Sequence, residues 1–241
     1  MDFSDLREPV SAWSHAAGLV MALPATWYLW HRGRGIGPAR RLGLLAFGLS
    51  LAFCYGASML FHGVRPGAGG LGFYDRLDRV GIFVLIAGTY TPLAMALLRG
   101  RWRSLTLASV WAITAVATGL LVAGGPLSQR WMTGLYLGMG WGVVACYGEL
   151  RRATSHRELI PLVVGGLFYS VGATLNVLHW PRPWPGVFAA HEVFHLCVLA
   201  GSLSHYYRGG RGALPPRPGA GGGTAPRACG RHARPPADVA R

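Results

Sequence analysis

The stretch RVGIFVLIAGTYTPLAMALL, residues 79–98, decides the fold of this chain. It runs for 20 residues with a single charged side chain, Arg79, at its start. A bilayer core about 30 Å thick is crossed by roughly 20 apolar residues in a helix. Lipid offers no hydrogen bonds to the backbone, so a helix, which satisfies its own amide and carbonyl groups, is the expected form. The stretch therefore predicts a transmembrane helix.

Six further apolar stretches of similar length flank this one, and Arg, Pro and Gly are concentrated between them. We predict an all-α protein with seven transmembrane helices, because the stretches lack the alternation of membrane β-strands. The predicted membrane domain covers residues 11–207. A short segment, residues 1–10, precedes it, and a tail rich in Arg, Gly and Pro, residues 208–241, follows and is expected to be disordered. The predicted spans are residues 11–30, 42–62, 79–98, 104–124, 131–148, 159–178 and 187–206.

The composition supports a membrane protein and argues against two other classes. Only 13% of the residues are charged while 51% are hydrophobic, which leaves too few charges to cover a soluble domain of this size. All 23 basic residues are Arg, and they lie in clusters between apolar stretches and in the tail. This arrangement predicts membrane loops and no nucleic-acid binding. The four Cys have no paired spacing, so we expect neither a disulfide framework nor a Cys-based metal site.

Two further patterns concern orientation and packing. Six Arg fall on the side of the membrane that contains the N-terminus, and seventeen fall on the other side with the tail. Because positive residues favour the cytoplasmic side, we predict a cytoplasmic C-terminus. Within the fifth span, Gly134, Gly138 and Gly142 repeat every fourth residue and predict a close helix contact there.

Several polar side chains fall at one depth, at the end of the bundle that contains the N-terminus. His62 ends the second span, and His191 and His195 begin the seventh, four residues apart and so on one helix face. Three imidazoles from two helices would bind Zn2+ and leave a fourth position for water, as in catalytic zinc sites. Asp78, at the start of the third span, would orient that water and take its proton. Ser58 lies one turn before His62 and would join the same cluster.

Simpler interpretations of these residues stay open at this point. Asp78 could pair with a neighbouring Arg at the membrane boundary, and Ser58 could hydrogen-bond to its own helix backbone. HEVFH, residues 191–195, also fits the H-E-x-x-H pattern of zinc proteases, in which the Glu is the general base. That pattern requires a third ligand downstream, and His205 lies about 15 Å further along the helix. The protease interpretation is therefore disfavoured, although Glu192 could still lie beside the metal.

Five motifs resemble a known family when they are taken together and in order. They are EPVSAWSH (8–15), SMLFH (58–62), LDRVGIFVLIAGTYTP (77–92), YSVGA (169–173) and HEVFH (191–195). The chain is similar over nearly all of residues 8–207 to the hemolysin III proteins of bacteria, within the progestin and adipoQ receptor superfamily.

This resemblance implies a seven-helix protein of the bacterial inner membrane with one zinc near one membrane face. By motif, the implied ligands are His62, His191 and His195, with Asp78 holding a zinc-bound water and Ser58 in the same cluster. The adiponectin receptors of this superfamily are associated with ceramide hydrolysis. Alkaline ceramidases look similar in their Ser, Asp and three-His pattern.

Three functions are open to such a protein. The favoured prediction is a zinc-dependent intramembrane hydrolase of a lipid amide or ester, similar to a ceramidase, with a lipid as its substrate or ligand. The second is a receptor-like membrane sensor, in which a structural zinc ties the second and seventh spans together. The third is a cytolysin of the hemolysin III type, although the spans contain no ring of charges that would line a pore. The sequence predicts neither the substrate nor the oligomeric state.

Overall fold

The computed structural model describes residues 6–65, 67, 70–124 and 128–212. Within these ranges every regular element is helical, which confirms the all-α prediction. Two short 3₁₀ segments, Gly33–Gly35 and Gly142–Cys146, connect to the helices. The last helix continues to Gly212, and the remainder of the predicted tail lies outside the described residues. The α-helices are α1 (Pro9–Arg32), α2 (Pro38–Gly63), α3 (Leu71–Leu97), α4 (Gly100–Val122), α5 (Gln129–Trp141), α6 (Tyr147–Ala153), α7 (His156–Leu178) and α8 (Ala190–Gly212).

The fifth predicted span, residues 131–148, is a helical segment in three parts rather than one α-helix. It consists of α5, the 3₁₀ segment Gly142–Cys146 and α6. The hydroxyl of Tyr90, on α3, hydrogen-bonds to the carbonyl oxygens of Met139 and Gly140, 2.8 Å from each. In an α-helix those carbonyls would accept from the amides four residues later. Tyr90 therefore competes for the acceptors at the point where the α-helix tightens into a 3₁₀ segment.

Close helix contacts are made by glycines other than those predicted. On α3, a Cβ added at Gly81 would lie 3.1 Å from the Cα of Cys54, and one at Gly88 would overlap the Ser50 hydroxyl. These glycines let α3 approach α2 closely. The prediction for the fifth span is wrong at two of its three glycines, because nothing lies within 4 Å of a Cβ at Gly134 or Gly138, whereas one at Gly142 would lie 3.5 Å from the Tyr90 hydroxyl. Gly134 and Gly138 face outward. A spacing of four residues places glycines on one face of a helix, but it does not predict the direction in which that face points.

The outer surface of the bundle is apolar, as an integral membrane protein requires. By length and hydropathy, four helices of the described part of the chain, α2, α3, α4 and α7, could cross a membrane. The helices α1 and α8 are also long, but they carry the polar residues of the site described below, which lowers their hydropathy. Their outward side chains are nonetheless apolar, including Val20 and Met21 on α1 and Leu203 on α8, all more than half exposed.

Candidate metal centre

Three histidines from two helices meet at one end of the bundle. His62 lies in the last turn of α2, and His191 and His195 lie in the first two turns of α8. The Nε2 atom of His191 is 3.3 Å from Nε2 of His62 and 3.1 Å from Nε2 of His195. His62 and His195 are buried, each about 1% exposed, whereas His191 is half-buried. This cluster could hold a metal ion, and His191 marks its more accessible side.

The other ring nitrogen of each histidine faces an oxygen acceptor. Nδ1 of His62 is 2.5 Å from the Glu8 carboxylate, a contact that lowers the pKa of Glu8. Nδ1 of His191 is 3.2 Å from the side-chain oxygen of Asn176. Nδ1 of His195 is 3.4 Å from the hydroxyl of Ser14. That hydroxyl already donates its hydrogen to the Ser11 carbonyl, so towards His195 it can only accept.

These partners fix which nitrogen of each neutral ring carries the hydrogen. All three partners can only accept a hydrogen bond: one is a carboxylate, one an amide oxygen, and one a hydroxyl that already donates its hydrogen. Each Nδ1 therefore carries the hydrogen, and each Nε2 carries a lone pair. Three lone pairs then converge, which is unfavourable unless a cation lies between them. In a tetrahedral zinc site, Zn–N distances of about 2.0–2.1 Å place neighbouring nitrogens about 3.3 Å apart. The two distances at His191, 3.3 Å and 3.1 Å, fit that requirement.

The carboxylate of Glu192, the acid within HEVFH, forms hydrogen bonds with groups other than the three histidines. One carboxylate oxygen accepts a hydrogen bond from the Ser11 hydroxyl at 2.9 Å, and the other accepts from the backbone N–H of Ala189 at 2.8 Å. In the second contact, the Glu side chain accepts a hydrogen bond from the residue just before its own helix, as in a capping box. Glu192 therefore anchors α8 to α1 and caps it, which argues further against the protease interpretation.

Asp78 and Ser58 form a pair beside the histidines. Asp78, in the second turn of α3, interacts with the side chains of Ser58 and His62 on α2. The neighbouring Arg79 forms its ion pair with Asp75, at 2.9–3.0 Å to both carboxylate oxygens. The close ion pair of Arg79 is thus with Asp75, while Arg79 acts on Asp78 only through its charge. Its carboxylate also lies outside the set of ligand atoms within 4.8 Å of one another, as far as the described residues extend.

Two other histidines, His15 and His179, differ in their positions relative to the cluster. His15, on α1, is buried and stacks on the ring of His195, with ring centroids 3.9 Å apart. His179 is exposed and ends α7 in the left-handed conformation, with φ of 53°. His15 therefore packs against a histidine of the cluster, whereas His179 terminates a helix.

The sequence pattern does not indicate that Ser11, Ser14 and Asn176 belong to this site, and it assigns no role to Glu8. Asn176 lies close to the end of the sixth predicted span, at the same depth as the histidines. Its position along the chain was therefore a signal that it could belong to the site. Glu8, which directly precedes α1, and Ser11 and Ser14 within it recur at intervals of three at the start of an apolar stretch. That spacing places them on one side of a helix.

The chain is similar in sequence to a known protein family and to several known proteins. A family model described as Haemolysin-III related matches residues 3–206. The Hemolysin-3 homolog of Bacillus subtilis (strain 168) is 28% identical in a 209-residue alignment that covers 85% of this chain and 93% of that protein. Hemolysin-3 of Bacillus cereus is 29% identical in a 206-residue alignment that covers 83% of this chain and 89% of that protein. The adiponectin receptor protein of Drosophila melanogaster is 25% identical in a 222-residue alignment that covers 83% of this chain and 49% of that protein.

Proposed function

The chain belongs to the Haemolysin-III related family of integral membrane proteins, and from this premise we propose that it is a zinc-dependent intramembrane hydrolase of a lipid amide or ester. The observation that carries the proposal is the convergence of three imidazole lone pairs beside Asp78, whose neighbour Arg79 forms its ion pair with Asp75. A ligand set of three histidines is typical of catalytic zinc, whereas structural zinc is almost always closed by four protein ligands.

The metal would supply Lewis acidity, which polarises a carbonyl group and makes water more acidic. Two residues of the chain, Asp78 and Ser58, would provide the proton transfer. Asp78 would accept the proton of the attacking water on a carboxylate oxygen, as a general base. Ser58, by donating a hydrogen bond to that carboxylate, would hold it in the orientation needed for the transfer. The apolar surroundings of the bundle suit a lipid substrate whose amide or ester bond enters from the side of His191.

The test compares Asp78 with Glu149, an acidic residue on α6. Asp78→Asn should leave most of the zinc bound, because the three histidines remain, and should lower turnover of a fluorescent ceramide by a factor of about 10²–10⁴. Glu149→Gln is the matched control, because Glu149 pairs with Arg152 on the same helix. Zinc content and turnover are measured on the same purified samples, with zinc in excess during the assay because such changes can weaken metal binding.

The same experiment separates the other two candidate functions. Loss of zinc and of thermal stability in Asp78→Asn, with no hydrolysis of any acyl-amide or acyl-ester by the unmutated protein, would contradict the proposal and favour a sensor with a structural zinc. Release of dye from protein-free liposomes by the unmutated protein would favour a cytolysin. We expect hydrolysis without dye release.

A further inference from the structure

A cationic side chain, Arg7, lies beside the histidine cluster, just before α1. Its Nη2 atom is 3.3 Å from one carboxylate oxygen of Glu8, and the other oxygen of Glu8 faces Nδ1 of His62. The charge of Arg7 also acts on His191, the half-buried histidine on the more accessible side of the cluster. A positive group is therefore placed where a substrate would approach the three histidines.

The guanidinium group of Arg7 is held in position by an aromatic ring. Its central carbon lies 4.2 Å from the centroid of the Phe61 ring, which directly precedes His62 on α2. A planar guanidinium packs on an aromatic face and keeps its N–H donors at its edge, where they can bind a second partner. The side chain is 23% exposed. It is thus accessible from outside but largely shielded from water, which strengthens its hydrogen bonds to charged acceptors.

Glu8 satisfies this guanidinium only in part. Its carboxylate is shared between Arg7 and His62, and the contact with His62 is the shorter, 2.5 Å against 3.3 Å. The Nε and Nη2 atoms of Arg7 are shielded from solvent and form no hydrogen bond within the described part of the chain, so the ion pair lacks the alignment of a hydrogen bond. Shielded donors are costly unless an acceptor pairs with them. A further oxygen acceptor with a negative charge would satisfy them.

We infer that Arg7 binds a negatively charged head group, a carboxylate or a phosphate, and that the substrate class of this site is an anionic lipid amide or ester. This inference rests on the proposed function, because it names the substrate of the same site. The scissile carbonyl would lie at the histidines and the head group at Arg7. A guanidinium fork matches two oxygens of either anion and remains charged at every physiological pH.

The test measures the binding of matched probes to the zinc-free, full-length protein in a neutral detergent, by isothermal titration calorimetry. N-lauroylglycine and N-lauroylethanolamine share an acyl chain and an amide bond, and they differ in a carboxylate against a hydroxyl group. We expect N-lauroylglycine to bind more tightly. Arg7→Gln should weaken its binding about tenfold and leave the binding of N-lauroylethanolamine unchanged. The phosphate ester of N-lauroylethanolamine, titrated in parallel, shows which of the two anions Arg7 binds more tightly.

Two further variants separate direct binding from other effects. Arg130→Gln is the matched control for general attraction to a positive surface, because Arg130 is exposed on α5 at the end where Gln129 meets Arg79. Glu8→Gln removes the acid that competes for Arg7, so it should strengthen the binding of N-lauroylglycine, the opposite of Arg7→Gln. If Arg7 only positions Glu8, both substitutions should weaken binding, and that result would overturn the inference.

The inference and the proposed function fail in different ways. Equal binding of the two amides by the unmutated protein, or an equal loss of N-lauroylglycine in Arg7→Gln and Arg130→Gln, would overturn the inference, whether or not the zinc-loaded protein hydrolyses a lipid. Binding of N-lauroylglycine that depends on Arg7, with no hydrolysis of any probe by the zinc-loaded protein, would support Arg7 as the anion-binding residue and contradict the proposed hydrolase.

Discussion

Replacing Glu8 by Ala tests the idea that hydrogen bonds to the histidines prepare them for a metal. Glu8 accepts from Nδ1 of His62 and so keeps Nε2 directed at the other two imidazoles. Without Glu8, the ring of His62 can rotate or carry its hydrogen on Nε2, and either change removes a ligand. Loss of such a partner typically lowers metal affinity by about 10–100-fold. This corresponds to about 1.4–2.7 kcal/mol of binding free energy.

Other interactions of Glu8 are too weak to produce this effect. Its side chain makes no capping hydrogen bond at the start of α1, so the helix loses no cap. Its ion pair with Arg7, at 3.3 Å, is partly exposed and is expected to contribute about 0–1 kcal/mol. Its backbone N–H still donates to the carbonyl of His62 in the variant. The unfolding temperature without metal should therefore change little, while zinc affinity falls.

The three partners also predict an order of effects. Glu8 provides a charge-assisted hydrogen bond, whereas Asn176 and Ser14 provide neutral and longer ones, so zinc affinity should fall most in Glu8→Ala and least in Ser14→Ala. The measurement is a competition titration with a chromophoric zinc chelator at constant pH. Glu149→Ala, which removes an acid from α6, is the control. Equal affinity in Glu8→Ala and Glu149→Ala, or a larger loss in Asn176→Ala than in Glu8→Ala, would refute the reasoning.

Three further predictions concern the metal, the packing and the topology. The purified protein should contain about one zinc, and elemental analysis should find most of it lost in His62→Ala but retained in His156→Ala, whose histidine is exposed at the other end of the bundle. Gly172→Ala should lower the free energy of unfolding by about 1–3 kcal/mol, because its Cβ would lie 2.5 Å from the Cβ of Cys197. Gly138→Ala, with open space around it, should not lower it. A reporter fused after Arg208 should be cytoplasmic, and periplasmic alkaline phosphatase activity from this fusion would reverse the predicted orientation.

The apolar stretches predict the helices well because membrane crossing depends on local composition. The stretch at residues 79–98 lies largely within α3, Leu71–Leu97, and the described helix begins earlier because a helix can extend beyond the lipid. The division of the fifth span could not be predicted in the same way. It coincides with a hydroxyl from Tyr90, about 50 residues earlier in the chain, which reaches two carbonyls of α5 only after α3 and α5 have packed together.

The three histidines were predictable for a related reason. The direction of each span alternates, so the position of a residue along its span gives its depth in the membrane, and His62, His191 and His195 share one depth. Depth does not give the rotation of a helix about its own axis. The contacts of Asn176 with His191, and the outward direction of Gly134 and Gly138, depend on that rotation and became evident only from the structure.

The first turns of α1 connect the parts of the candidate site. Glu8 contacts His62 on α2, Ser11 contacts Glu192 on α8, and Ser14 contacts His195 on α8. Intervals of three residues place these side chains on one side of α1, facing the two helices that provide the histidines. The helix α1 therefore contacts both α2 and α8, which provide the three histidines. A shift of α1 along its axis would disturb all three contacts together. The N-terminal motif EPVSAWSH is thus best explained as the support of the histidine cluster, whose three histidines lie on other helices.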